Sequence, residues 1–193
     1  MEDPGFRKTV RHFDAPGDAH FLTFSCYHRL PLLSKDRTRW WVVEEIDRSR
    51  KALDFDLWAW VIMLEHVHLL VYPRTSSYKT SEILKSIKQP VGTKAIRYLK
   101  NRSPSFLKKL TVVGRTRKYH RFWQAGPGFD RNVTETKAMH ETIDYIHQNP
   151  VRRGLVLKAE DWIWSSARDW ANLDSPIPLK VDRTVPTLHP TDT

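Results

Sequence analysis

The chain has 193 residues, 40% of them hydrophobic, which suits one domain with appendages and a sizeable buried core. Its single cysteine, Cys26, excludes an intramolecular disulfide and fits a reducing cytosol. No apolar run is long enough to span a bilayer, and the first five residues do not read as a signal peptide. With a net charge of +10, the expectation is a soluble, cytoplasmic and nucleoid-associated protein with no membrane partner.

Residues 1–18 contain Pro4, Gly5, Pro16 and Gly17 and are expected to form a flexible arm. From His20 to Tyr27 the sequence alternates and is rich in β-formers, which predicts a strand. Asp36 to Leu53 reads as a helix, with Trp40, Val43, Ile46 and Arg50 at helical spacing. Phe55 to Tyr72 is apolar for too long to be one strand of usual length. Splitting it near Leu64 and Glu65 gives a hairpin whose second strand Pro73 ends. Thr80 to Asn101 looks helical, and Pro90 should break or kink it. Gly114 to Gly128 reads as irregular chain with short extended pieces.

Asn132 and Glu135 have capping-box spacing, which places a helix start there. Met139, Ile143 and Ile146 form that helix's apolar stripe, and Pro150 should end it at about Asn149. Arg152 to Leu157 is expected to return as a short strand, and Trp162 to Trp170 to form a small aromatic-rich element. The tail from Asp174 is rich in Pro and Thr and is expected to be disordered. The domain organisation is thus an arm over 1–18, one domain over 19–171 and a disordered tail over 172–193.

Charge is unevenly spread. From Ile83 to Phe129 there is no Asp or Glu, while 12 Lys or Arg residues lie between Lys85 and Arg121. That stretch exceeds the charge of the whole chain, and Tyr98, Phe106, Tyr119, Phe122 and Trp123 are interspersed with it. Cations with aromatics are what a phosphate backbone with unstacked bases requires. The candidate nucleic-acid contacts are Lys85, Lys88, Lys94, Arg97, Arg115, Arg117, Lys118 and Arg121, with Trp123 as the stacking residue. Arg152 and Arg153 are further candidates, with a solvent-facing role the alternative.

Two histidines, His66 and His68, stand in the apolar run Val61 to Tyr72. On a strand, residues i and i+2 leave the same face, so both imidazoles can reach one divalent ion. Two hydrogen-bonded structural histidines are the plainer reading of that pair alone. Downstream, Tyr145 lies roughly 160° around its helix from Ile143, away from the apolar stripe. Asn149 follows at i+4 and shares its face. A tyrosine so placed is a packing residue or a nucleophile. His147 points elsewhere and reads as structural, and Cys26 as a small core residue.

Taken together, His66-Val-His68, the basic middle and the run Tyr145-Ile-His-Gln-Asn-Pro-Val-Arg-Arg-Gly-Leu-Val156 resemble the single-tyrosine HUH transposases, and among them the REP-associated tyrosine transposases. Phe21 to Cys26 with Pro31-Leu-Leu33, Arg121 to Gln124 with Phe129-Asp130, and Asp161 to Ser166 resemble further segments of that family, over roughly residues 18–171. The resemblance implies an α/β (α+β) fold, a ferredoxin-like antiparallel sheet with helices on one face and a small C-terminal element. It implies Mg²⁺ or Mn²⁺ on His66, His68 and Asn149, with Gln148 the alternative third ligand. Tyr145 would be the catalytic nucleophile of a metal-dependent single-strand DNA endonuclease and strand transferase. That enzyme would act at hairpin or repeat sequences through a 5′-phosphotyrosine. A catalytically silent hairpin DNA- or RNA-binding protein is the alternative, and a hydrolase using water a third reading. The partner is single-stranded or hairpin DNA, and the C-terminal element favours a monomer over a dimer. Glu65 stands where the family often has Asn or Asp, which leaves its role open.

Overall fold

The computed structural model describes residues 14–126 and 128–188. Most of the arm expected over 1–18 therefore lies outside the described residues. The elements in chain order are β1 (Ala19–Ser25), α1 (Asp36–Leu53), β2 (Phe55–Ile62), β3 (His66–Pro73), α2 (Thr80–Arg102) and α3 (Pro104–Leu107). They continue with β4 (Thr111–Val113), β5 (Lys118–His120), β6 (Phe129–Val133), α4 (Thr136–Arg152) and α5 (Ala167–Trp170).

Four strands form one antiparallel sheet in the order β2-β3-β1-β6. With α1 and α2 as the crossovers, this is the ferredoxin-like arrangement that the sequence led us to expect. The long apolar run splits where anticipated, with Met63, Leu64 and Glu65 between β2 and β3. Strand alternation sets the faces. Leu22, Phe24, Val67, Leu69 and Val71 point to α1 and α2 and form the larger core with Ile46, Ile83, Leu84 and Ile87. Phe21, Val61 and Leu70 point the other way, where Met139, Ile143 and Ile146 of α4 cover them. Helices on one face therefore describes α1 and α2, while α4 lies against the opposite face. His66 and His68, in phase with Leu70, look toward α4.

Two prolines behave differently from expectation. Pro90 neither ends α2 nor interrupts its assignment. Its missing N–H leaves the carbonyl of Ser86 without a helical donor. Arg48 on α1 supplies one, with Nη2 donating to Ser86 O at 3.0 Å. Pro150 likewise sits inside α4, which runs three residues past Asn149. So close to the helix end a proline removes a single bond, and Leu155 N–H donates to Pro150 O at 2.9 Å as the chain turns away. That turn, with Gly154 at φ 66°, replaces the short strand expected over Arg152 to Leu157.

The capping box also fails. Asn132 belongs to β6, opposite His20, and its amide donates to Asp18 Oδ2 at 2.6 Å. The residue before the helix is Glu135, three positions later than expected. Sheet pairing has outcompeted the local cap.

The tail is the largest departure. Ile177, Leu179 and Val181 are buried in the larger core, against the expectation of disorder. The reason lies at the free edge of β2. Ile62 N–H donates to Trp164 O at 2.8 Å, and Ser166 N–H to Trp60 O at 2.9 Å. Further along, Asp182 N–H donates to Leu57 O and Leu57 N–H to Asp182 Oδ2, both at 2.9 Å. An unpaired edge requires partners, and the Pro-rich tail, extended by composition, supplies them.

Candidate active site

His66 and His68 open β3, and β1 sets their depth: His68 pairs with Thr23 and His66 with Ser25. Both rings are buried, and their Nε2 atoms approach to 3.0 Å. Each ring is held from behind. Thr23 Oγ1 lies 2.6 Å from His68 Nδ1, and Glu65 Oε1 lies 3.2 Å from His66 Nδ1. A carboxylate only accepts, so Nδ1 of His66 carries the proton and its Nε2 presents a lone pair. Burial lowers the pKa of His66 and pushes His68 down to about 3, the latter aided by its neighbour His66. Both imidazoles are therefore neutral at physiological pH.

Glu65 is itself buried, and Arg153 Nη2 donates to the same oxygen at 2.9 Å. The Glu65 carboxylate, whose role the sequence left open, thus lies on the Nδ1 side of His66.

The apolar stripe of α4 seats that helix so that Tyr145 reaches the histidines. Tyr145 is 41% exposed, and its ring centroid lies 5.8 Å from that of His68 and 5.6 Å from that of Phe21. Arg152 lies over the tyrosine ring at 4.3 Å. Asn149 is buried beside His68 and donates Nδ2 to Tyr145 O at 3.3 Å, whereas Gln148 is exposed.

The donor set fits a divalent ion. Two ligand atoms at right angles, each about 2.1 Å from one ion, are separated by about 3.0 Å. The Nε2 spacing matches this, and both Nδ1 atoms have the supporting partners that ligand histidines need. Among the described residues no group of three His, Cys, Asp or Glu side chains converges on a metal position. Asn149, the remaining expected ligand, is buried next to His68.

His147 is turned from the site, as expected. Burial pushes it down to about 4, and its Nε2 lies 2.8 Å from Ser166 Oγ. Cys26 is a core side chain whose thiol burial pushes up.

The basic segment divides. Lys88, Arg97 and Arg121 line an open groove of about 540 Å³ between α2 and the chain at 120–123, together with Lys100. Lys85 lies beside Lys88 on a smaller adjoining hollow. Arg115, Arg117 and Lys118 are exposed at the β4–β5 hairpin. Lys94 does not present a free charge, since Nζ pairs with Glu44 at 3.0 Å and Glu45 at 3.2 Å. Trp123, the expected stacking residue, is 8% exposed and edge-on to Phe24, its indole N–H donates to Lys88 O at 2.8 Å, and it lines both the groove and the adjoining hollow. An aromatic flanked by basic residues in sequence has an alternative destination beneath them, and strand-like bridging of Trp123 to Cys26 takes it there.

No family model matches the sequence, and no curated protein does. The structure of a REP-associated tyrosine transposase bound to a REP hairpin superposes with a TM-score of 0.64 at 21% identity, over 94% of this chain and 95% of that one. The chain has the fold of that transposase. A candidate transposase from Deinococcus radiodurans R1 gives a TM-score of 0.44 at 13% identity, over 77% of this chain and 96% of that one.

Thr23 and the orienting role of Glu65 are the site residues that sequence reading missed. Thr23 is a polar residue in the run Phe21 to Cys26, opposite His68 once the strands are in register. Pairing β1 with β3 by their shared alternation was the signal available.

Proposed function

We propose that the chain is a transposase-type enzyme, a single-strand DNA endonuclease and strand transferase acting beside hairpins through a 5′-phosphotyrosine. The observation that carries this reading is the exposed Tyr145 next to two converging, neutral imidazoles held from behind. The likeness in fold to a transposase solved with a REP hairpin supports hairpin DNA as the substrate class.

In this reading His66, His68 and Asn149 would hold Mg²⁺ or Mn²⁺, which when bound would supply Lewis-acid polarisation of the scissile phosphate. Tyr145 Oη forms a bond to phosphorus, the P–O3′ bond breaks, the phenolic proton is lost and the leaving oxygen gains one as a 3′-OH. The reverse attack by a 3′-OH rejoins a strand without an external energy source, because the phosphodiester bond is exchanged and not hydrolysed. Arg152, over the tyrosine ring, favours approach of the anionic backbone. The groove with Lys88, Arg97, Lys100 and Arg121 provides sequence-independent affinity for phosphates. Because α4 docks on the sheet of its own chain, one copy can assemble Tyr145 beside the histidines, which supports a monomer over a dimer as the working form.

The test is an adduct assay with 3′-labelled hairpin oligonucleotides taken from repeats flanking the gene. A metal-dependent, protein-linked labelled fragment is expected, absent in Tyr145→Phe. Cleavage without an adduct would replace this reading with hydrolysis by water. Binding without cleavage across several hairpins would replace it with the silent binding protein.

A further inference from the structure

Beside Tyr145, between β6 and α4, lies an open cavity of about 280 Å³ walled by Phe21, Phe129, Arg131, Glu141, Thr142 and Tyr145. It shares a wall with the histidine site. The Phe21 ring stacks on His68 at 5.4 Å and meets Phe129 edge-on at 5.7 Å. The reaction at Tyr145 gives this space no role.

Its chemistry is specific. Phe129 is a large aromatic left 47% exposed on a strand of the main sheet. It is put there by Gly128, at φ 82°, where a Cβ would lie 2.2 Å from Thr23 O, so only glycine permits the close approach of β6 to β1. Arg131 lines the cavity and donates one Nη2 bond to Thr142 Oγ1 at 3.1 Å, which steadies a guanidinium that has further N–H donors to offer. Glu141, one residue from Thr142 on α4, adds a carboxylate without a hydrogen-bond or ion-pair partner among the described residues. An aromatic face with a fixed donor fork and an acceptor on its rim matches a planar heterocycle that carries both acceptors and donors on its edge.

We propose that this cavity is a base-reading subsite: it takes one unpaired nucleobase from the strand being cut, next to the scissile phosphate. The base stacks on Phe129, Arg131 donates to its ring acceptors and Glu141 accepts from its N–H groups. Guanine, with O6 and N7 as acceptors and N1–H and N2–H as donors, satisfies both partners at once. The subsite rests on the reading of Tyr145 as the nucleophile. It adds what that reading lacks, a source of sequence discrimination at the cut beyond hairpin shape.

The test separates the two. In Tyr145→Phe, which cannot cleave by the proposed route, 2-aminopurine is moved through each unpaired position beside the hairpin and its fluorescence followed on binding. Quenching at one position is expected, and its loss in Phe129→Leu, which keeps an apolar side chain on β6 without the aromatic face. In cleavage assays with the unaltered protein, an abasic site at that position should lower the rate about tenfold or more. The same abasic site should change little in Phe129→Leu, and Arg131→Ala with Glu141→Gln should level the preference among the four bases. Quenching confined to one position and dependent on Phe129 would uphold the subsite even if no adduct ever forms. An adduct that forms with no quenched position, or with base preference unchanged in these variants, would overturn the subsite and leave the nucleophile standing.

Discussion

Arg153 Nη2 donates to Glu65 Oε1 at 2.9 Å, joining the end of the tyrosine helix to the residue that orients His66. One carboxylate thus controls two things, the tautomer of a candidate ligand and the seating of α4. These functions separate by mutation. Arg153 is half exposed, so Arg153→Ala should lower stability by only about 1 kcal/mol or less, a small shift in a thermal melt. The single-turnover cleavage rate should fall further than hairpin affinity, because Tyr145 loses registration against the histidines.

Glu65→Gln and Glu65→Ala should part company. An amide oxygen still accepts from His66 Nδ1, whereas alanine leaves that ring unoriented. Supporting groups of this kind are worth roughly 10–100-fold in metal affinity. Titrating cleavage with Mn²⁺ should show the alanine variant shifted by that order and the glutamine variant by far less. Equal shifts would mean that the charge of Glu65, not its geometry, supports the site.

The proline in α2 offers a cycle. Arg48→Ala strips Ser86 O of its donor, and Pro90→Ala restores the helical N–H that would serve it. The single change at Arg48 should cost about 0.5–1 kcal/mol in urea unfolding. In the Pro90→Ala background the loss should be smaller, and additivity of the two changes would show that the carbonyl is served by water.

These cases show what was legible in the sequence. Elements with strong periodicity were: α1 falls on Asp36–Leu53 as read, the hairpin splits at Leu64 and Glu65, and the stripe of α4 packs as its spacing required. The facing of Tyr145 away from that stripe followed from helical geometry alone. What failed were local rules whose outcome depends on distant chain. Pro90 is tolerated because Arg48 stands on another helix. Asn132 is drawn into β6 by β1. The tail looks disordered by composition until the open edge of β2 is known. Trp123 lies among cations in sequence but beneath them in space. Thr23 needed strand register to be seen opposite His68, and the hold on Glu65 comes from Arg153 at the far end of the chain's last long helix, neither of which a single segment contains.

Lys88 lines the basic groove, and burial pushes its ammonium down to about 8 while Nζ donates to Gly126 O at 3.1 Å. Its charge is present below that pH and lost above it. Hairpin affinity should therefore fall between about pH 7 and pH 9, with the salt dependence losing about one phosphate contact. Lys88→Arg, always charged, should flatten this dependence. Binding isotherms at several salt concentrations across this range would check it, and an unchanged pH profile in Lys88→Arg would assign the loss to other groups.

His147 joins α4 to the C-terminal element through Ser166, and burial holds it at about 4 against 6.5 in the unfolded chain. Between these values the unfolded chain binds a proton that the folded one excludes, so stability rises with pH there. The contribution is complete above about 6.5, falls away as pH drops toward 4, and amounts to on the order of 3 kcal/mol. His68, also pushed down, to about 3, adds to the loss in the same window when no ion is bound. His147→Gln keeps a donor for Ser166 without titrating. Urea unfolding at pH 7.5 and pH 4.5 should show a smaller difference in that variant than in the unaltered chain, and saturating Mn²⁺ should shrink the part that remains. An equal pH difference in both proteins would place the acid sensitivity in the histidine pair alone, with the link from α4 to Ser166 indifferent to charge.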